Sequence, residues 1–91
     1  MKKLAKIFKA LGNEKRLKIL ALLTKQGGTT VGEVSKEIGA TFKATSQHLK
    51  ILDGADLVRK EKKKNNIFYS LARFPQESLR RKIAELIESF K

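Results

Sequence analysis

Residues 30–53 read TVGEVSKEIGATFKATSQHLKILD, and the stretch divides at Gly39. Before that glycine, Thr30-Val31-Gly32-Glu33 spells a capping box, in which the threonine hydroxyl takes one free backbone N–H of a first helical turn and the glutamate reaches back for another. The helix that starts there is short, with Val34 and Ile38 as its apolar anchors, and it meets Gly39 where the chain must turn sharply. After Ala40, Thr41 can cap a further helix running to about Asp53, with Ala44, Leu49 and Leu52 facing inward. Two short helices about a tight glycine-bearing turn predict a helix-turn-helix. The exposed face of its second helix holds Lys43, Ser46, Gln47 and Lys50, with Phe42 and Thr45 at the edges. The polar members of that set donate or accept hydrogen bonds at base edges and phosphates, and none of the set is acidic.

Toward the N-terminus, Leu4, Ile7, Phe8 and Leu11 recur at helical spacing and predict a short amphipathic helix. Its lysine face could touch DNA or a membrane surface, though the commoner fate of such a stripe is packing against another helix. Gly12 breaks it, Asn13 is a good cap, and Glu14 sits in the first turn of the next helix, where a carboxylate meets the positive end of the dipole. Leu17, Ile19, Leu20, Leu22 and Leu23 cover more than one face of that helix, so it is expected at the core, ending at Gly27 and Gly28.

Toward the C-terminus the apolar period becomes that of strands. Leu57 and Val58 lead through Arg59 to Lys62, and Ile67, Phe68, Tyr69 and Leu71 form a second β-prone run, predicting a hairpin with Asn65 and Asn66 between the runs. Lys62, Lys63 and Lys64 make its tip a basic finger. Of Phe68 and Tyr69, at least one should be core rather than a stacking platform for bases. Pro75 suits the first turn of a last helix, on which Leu79, Ile83, Leu86, Ile87 and Phe90 form an apolar stripe. That stripe either covers the core or pairs with its copy in a second subunit, beside Leu4, Ile7 and Phe8.

The chain has 91 residues, with 21 Lys plus Arg against 9 Asp plus Glu and a formal charge of +12. One small domain spanning 1–91 is expected, with a core thin enough that a partner subunit would help. The charge is local: no acidic residue lies between Glu37 and Asp53, and residues 57–72 hold Arg59, Lys60, Lys62, Lys63 and Lys64 against Glu61 alone. A polyanion such as DNA or RNA is the natural partner, since each neutralised phosphate releases counterions. The competing reading is a lysine-rich surface that serves solubility. Having no cysteine, the chain holds no disulfide, thiolate zinc site or thiol switch. The longest apolar run covers residues 19–23, far short of a membrane span, and residues 1–11 interleave lysines with their apolar positions, so a cytoplasmic protein is expected.

No catalytic constellation emerges. Ser46 lacks His and Asp partners, Glu85 with Glu88 reads as a solvated helix face, and the lone His48 has no companion donors for a metal, which favours packing or a hydrogen bond within the helix-turn-helix. The expectation is a protein that is not an enzyme and carries no metal or cofactor.

The order helix, helix, helix-turn-helix, basic hairpin, helix is that of a mainly α winged helix-turn-helix with five helices and a two-stranded wing. Leu11-Gly12-Asn13-Glu14-Lys15-Arg16-Leu17-Lys18-Ile19-Leu20 resembles the opening motif of the ArsR (ArsR/SmtB) family of bacterial and archaeal repressors. Ser46-Gln47-His48-Leu49-Lys50-Ile51-Leu52 resembles its recognition-helix motif, and Tyr69-Ser70-Leu71 the end of its wing. The resemblance implies a homodimer joined by the first and last helices, through Leu4, Ile7, Phe8, Leu79, Ile83, Leu86, Ile87 and Phe90. It also implies a repressor that sets one recognition helix per subunit in successive major grooves of an inverted-repeat operator on double-stranded DNA. Carried over, Thr41, Lys43, Ser46 and Gln47 fall on base-facing or phosphate-facing positions. Thr45 and Lys50 accompany them, and Lys60, Lys62, Lys63, Lys64 and Asn65 fall on the wing. Family metal sensors often place paired cysteines where this chain has residues 31–35, and others use Asp and His on the last helix, where this chain offers Glu77, Glu85 and Glu88. The family's glycine before the wing strand is Asp56 here, a residue that tolerates left-handed φ.

Two other functions fit the same residues. One is a basic architectural or RNA-binding module without base readout; the other is a protein-interaction domain that keeps the winged fold. Discrimination between a specific duplex and random DNA separates them from a regulator.

Overall fold

Three side chains set where helices begin. The Asn13 side chain accepts from the Arg16 N–H at 3.2 Å, the Thr30 hydroxyl from the Glu33 N–H at 3.3 Å, and the Thr41 hydroxyl from the Ala44 N–H at 3.1 Å. The computed structural model describes residues 2–72, the side chains of Lys3 and Leu4 excepted. In it these caps open α2 (Glu14–Gln26), α3 (Val31–Ile38) and α4 (Phe42–Gly54), with α1 (Lys2–Leu11) before them. Gly39 ends α3 at φ 66°, the left-handed position expected of it, and its N–H donates to the Ser35 carbonyl. Asp56 follows α4 at φ 59°, as its tolerance of that region allows. The chain then enters an antiparallel hairpin of β1 (Val58–Lys63) and β2 (Asn66–Leu71), in register from Val58 opposite Leu71 to Lys63 opposite Asn66.

The core lies where these elements meet. Ile19 of α2, Val34 of α3, and Leu49 and Leu52 of α4 are fully buried, with Ile7, Ala10, Leu57, Val58 and Tyr69 closed around them. Each such aliphatic side chain contributes about 1.5–3 kcal/mol by leaving water. Thr29 ties the hairpin to the helices: its N–H donates to the Tyr69 carbonyl at 2.9 Å, and the Tyr69 N–H donates back at 2.7 Å. This one-residue bridge adds a third edge to the wing and seats Tyr69 in the core, while Phe68 stays half-buried. Helix-turn-helix plus hairpin gives a mainly helical winged helix-turn-helix.

Several expectations need correction. The described residues hold four helices, and the expectation of a fifth, with Leu79, Ile83, Leu86, Ile87 and Phe90, falls outside the described residues. Thr45, expected at the edge of the exposed face of α4, is fully buried, because it stands one turn before Leu49 and two before Leu52 on the same helical line. Ile7, expected at a subunit seam, is 3% exposed within one protomer and belongs to its own core. Glu33 completes only half of the capping box, since its carboxylate accepts from the Thr29 hydroxyl at 2.7 Å. Leu17 is half exposed despite its place on the core helix. The hairpin turns at Lys64-Asn65, one residue early, with the left-handed φ of 55° on the lysine.

Candidate nucleic-acid interface

On α4, burial of Thr45, Leu49 and Leu52 fixes which residues point away from the core. Lys43, Gln47 and Lys50 lie at positions i, i+4 and i+7 of the opposite face and are exposed, with Ser46 half-buried beside them and the cap Thr41 exposed at the entrance. No carboxylate occurs on α4 before Asp53. The face thus offers an amide, a hydroxyl and two ammonium groups, the side-chain chemistry that reads base edges and grips phosphates.

The wing offers charge. Every residue from Arg59 to Ile67 is exposed. Cross-strand pairing sets Lys60 opposite Tyr69 and Lys62 opposite Ile67 on the face that carries Val58 and Leu71 at its root. Arg59, Glu61 and Lys63 lie on the other face, and Lys64 and Asn65 form the tip. Between the wing tip and the starts of α3 and α4 runs a groove of about 390 Å³, lined by Thr30, Val31, Gly32, Phe42, Asn65, Asn66 and Ile67.

Two residues of α2 that the sequence reading did not single out tie it to the helix-turn-helix. Lys15 Nζ donates to the Ile38 carbonyl at 2.6 Å and to the Gly39 carbonyl at 3.4 Å, setting a cation on the negative end of α3 at the turn. Arg16 Nη1 donates to the Lys9 carbonyl of α1 at 2.9 Å, and its Nε donates to Nδ1 of His48 at 3.2 Å. Burial, followed by the charges of Arg16 and Lys15, lowers the His48 pKa below its ordinary value of 6.5, which favours the neutral imidazole whose Nδ1 accepts from Arg16. The expected packing role of His48 is realised through these contacts. The signal for the clamp was present in the sequence, as adjacent cations at the start of a core helix and an unpartnered histidine, but 32 residues separate donor from acceptor. Among the described residues no three His, Asp or Glu side chains gather to hold a metal ion, and no helix is long and apolar enough to cross a membrane.

Known proteins resemble this chain in sequence and fold. The sequence profile described as "Bacterial regulatory protein, arsR family" matches residues 13–60, which hold the clamp, the helix-turn-helix and the start of the wing. The HTH-type transcriptional regulator YgaV of Escherichia coli is 36% identical over 67 residues, covering 74% of this chain and 68% of that protein. The arsenical resistance operon repressor of Bacillus subtilis is 38% identical over 71 residues, covering 78% of this chain and 68% of that protein. Among solved structures, a homodimeric winged helix-turn-helix DNA-binding domain from Mycobacterium bovis superposes with a TM-score of 0.75 at 26% identity, covering 97% of this chain and 79% of that one. With Lys15 and Arg16 locking a carboxylate-free helix face beside a lysine-tipped wing, the chain belongs to the arsR family of bacterial regulatory proteins and is a DNA-binding transcriptional regulator.

Proposed function

We propose that the chain acts as a homodimeric repressor that occupies an inverted-repeat operator and blocks transcription from it. The observation that carries this reading is the exposed face of α4, where Lys43, Gln47 and Lys50 stand clear of any carboxylate on a helix pinned by its core residues. In each half-site Gln47, Lys43 and Ser46 meet base edges, while Thr41 and Lys50 meet the flanking phosphates. Lys60, Lys62, Lys63, Lys64 and Asn65 of the wing follow the backbone. Two-fold symmetry sets the half-sites roughly 34 Å apart, about one turn of the duplex.

In this reading the subunit seam draws on α1 and on residues 79–90. Phe8 is 42% exposed on α1 and available to a partner. Leu4, together with Leu79, Ile83, Leu86, Ile87 and Phe90, completes the seam in this reading. The homodimer in the Mycobacterium bovis domain and the repressor activity named for the Bacillus subtilis relative support both halves of the proposal.

Selection of bound duplexes from a random pool tests it. A palindromic consensus with half-sites about one turn apart is the expected result. A pool that stays random, or a consensus without two-fold symmetry, contradicts it.

A further inference from the structure

Phe42 is the most exposed of the large apolar side chains described, at 62%, on the first residue of α4. Folding does not account for it. The core residues of this helix are Thr45, Leu49 and Leu52, and Phe42 lies outside the hydrophobic cluster. A phenyl ring left in water forgoes the burial that gives aromatic residues their stabilising weight. Its neighbours are the cap Thr41 and Lys43, so an uncharged ring stands within the surface assigned to DNA.

Its direction is set by helix geometry. Cα–Cβ bonds tilt toward the helix N-terminus, so a residue in the first turn projects beyond the end of the helix. In a helix-turn-helix that end of the second helix approaches the base edges. The major groove presents donors and acceptors on every base pair and one apolar mark, the C5-methyl group of thymine. A phenyl ring makes no hydrogen bond to the polar edges, and it gains by removing that methyl from water. The nearby charge is complementary to DNA: Lys43 follows Phe42, Lys50 lies two turns on, and α4 carries no carboxylate before Asp53.

We propose that Phe42 is a specificity-determining residue that reads the C5-methyl group of one thymine in each half-site. The proposal rests on the regulator reading, because it needs α4 in the major groove. Phe42 also lines the groove shared with Asn65, Asn66 and Ile67 of the wing. The ring therefore stands at the boundary between the base-reading helix and the backbone-following wing, which places its thymine toward the wing side of each half-site.

The experiment begins with the consensus selected from a random pool and replaces its thymines, one symmetric pair at a time, by deoxyuridine, which removes the methyl group and nothing else. For the intact protein one pair of replacements is expected to weaken binding about fourfold per half-site, the weight of one buried methylene, and about fifteenfold for the dimer. Phe42→Ala is expected to bind the parent operator more weakly and to be insensitive to that same pair. The uridine series on the intact protein stands whether or not the variant folds. Thymines that are all replaceable without loss, or a consensus without thymine in the half-sites, overturn the proposal while leaving the regulator reading in place. A Phe42→Ala protein as sensitive to uridine as the intact one also overturns it, as does one that loses equally on operator and random DNA, which marks the ring as a packing surface for the sugar backbone. A pool that yields no consensus overturns this proposal and the regulator reading together.

Discussion

Helix α4 and the wing carry similar chemistry on opposite kinds of support. α4 is anchored by three fully buried residues, by Lys15 at the turn before it, and by Arg16 through His48. The wing is held at its root, by Val58, by the Thr29–Tyr69 bridge and by the Ala72 N–H donating to the Leu57 carbonyl, and its residues from Arg59 to Ile67 stand in solvent. Hydrogen bonds to base edges demand fixed positions, whereas attraction between ammonium groups and a phosphate chain tolerates movement. Under the proposed function the two surfaces divide the labour: the supported one suits base edges and the free one suits the phosphate backbone.

The largest expected effect removes the support. Leu49→Ala leaves a cavity under α4 and should cost about 2–5 kcal/mol of stability in denaturant titration, while Ile67→Ala on the wing should stay within about 0.5 kcal/mol. Comparable losses at both positions would erase the contrast. Next in size, Gln47→Ala should lose about 1–3 kcal/mol on the operator and spare random duplex, as measured by fluorescence anisotropy. Replacing Lys62, Lys63 and Lys64 together by Ala should instead weaken binding to every sequence. The slope of log affinity against log salt should then fall by roughly one for each lysine that touched a phosphate. A wing variant that changed sequence preference, with the slope intact, would reverse the two roles.

Smaller effects sharpen the account of α4 itself. The Thr45 hydroxyl is buried without a hydrogen-bond partner among the described residues, so Thr45→Val, which keeps the shape and removes the orphan group, should raise stability by about 1 kcal/mol. A loss of stability in that variant would show that the hydroxyl is satisfied. The clamp carries a pH signature. His48 titrates near 6.5 when unfolded and lower when folded, so between those values the unfolded chain binds more protons. Its contribution is therefore fully present above pH 6.5 and declines as the pH falls through the folded value. Urea midpoints measured from about pH 7.5 down to about pH 5.5 should drop in the intact protein. In His48→Asn, which retains an acceptor for Arg16 and does not titrate, that dependence should flatten; an unchanged profile would assign it to other groups.

Much of this was written in short stretches of sequence, because helix caps and left-handed turns are local physics. Thr30, Gly39 and Thr41 each act within four residues of their own position, and they placed the helix-turn-helix correctly. Side-chain type misled at Thr45. Its hydroxyl pointed to the polar face, whereas its spacing from Leu49 and Leu52 put it in the core, and packing decided the outcome. An apolar stripe does not say which surface it covers, and Ile7, expected at a seam, lies in the core of its own protomer. The Thr29–Tyr69 bridge and the Arg16–His48 bond join residues 40 and 32 positions apart, and no local pattern announces either. The wing turn slipped by one residue because Asn65 is the better left-handed residue by type, yet the strand register leaves that conformation to Lys64.

The most direct measurement of the central claim is the ratio of affinities for the selected operator and for a random duplex of equal length, taken at one fixed salt concentration near physiological. A pinned α4 reading bases predicts a ratio of about 10³ or more. A ratio near one, with both affinities falling steeply and in parallel as salt is added, would mean that charge alone holds the protein to DNA.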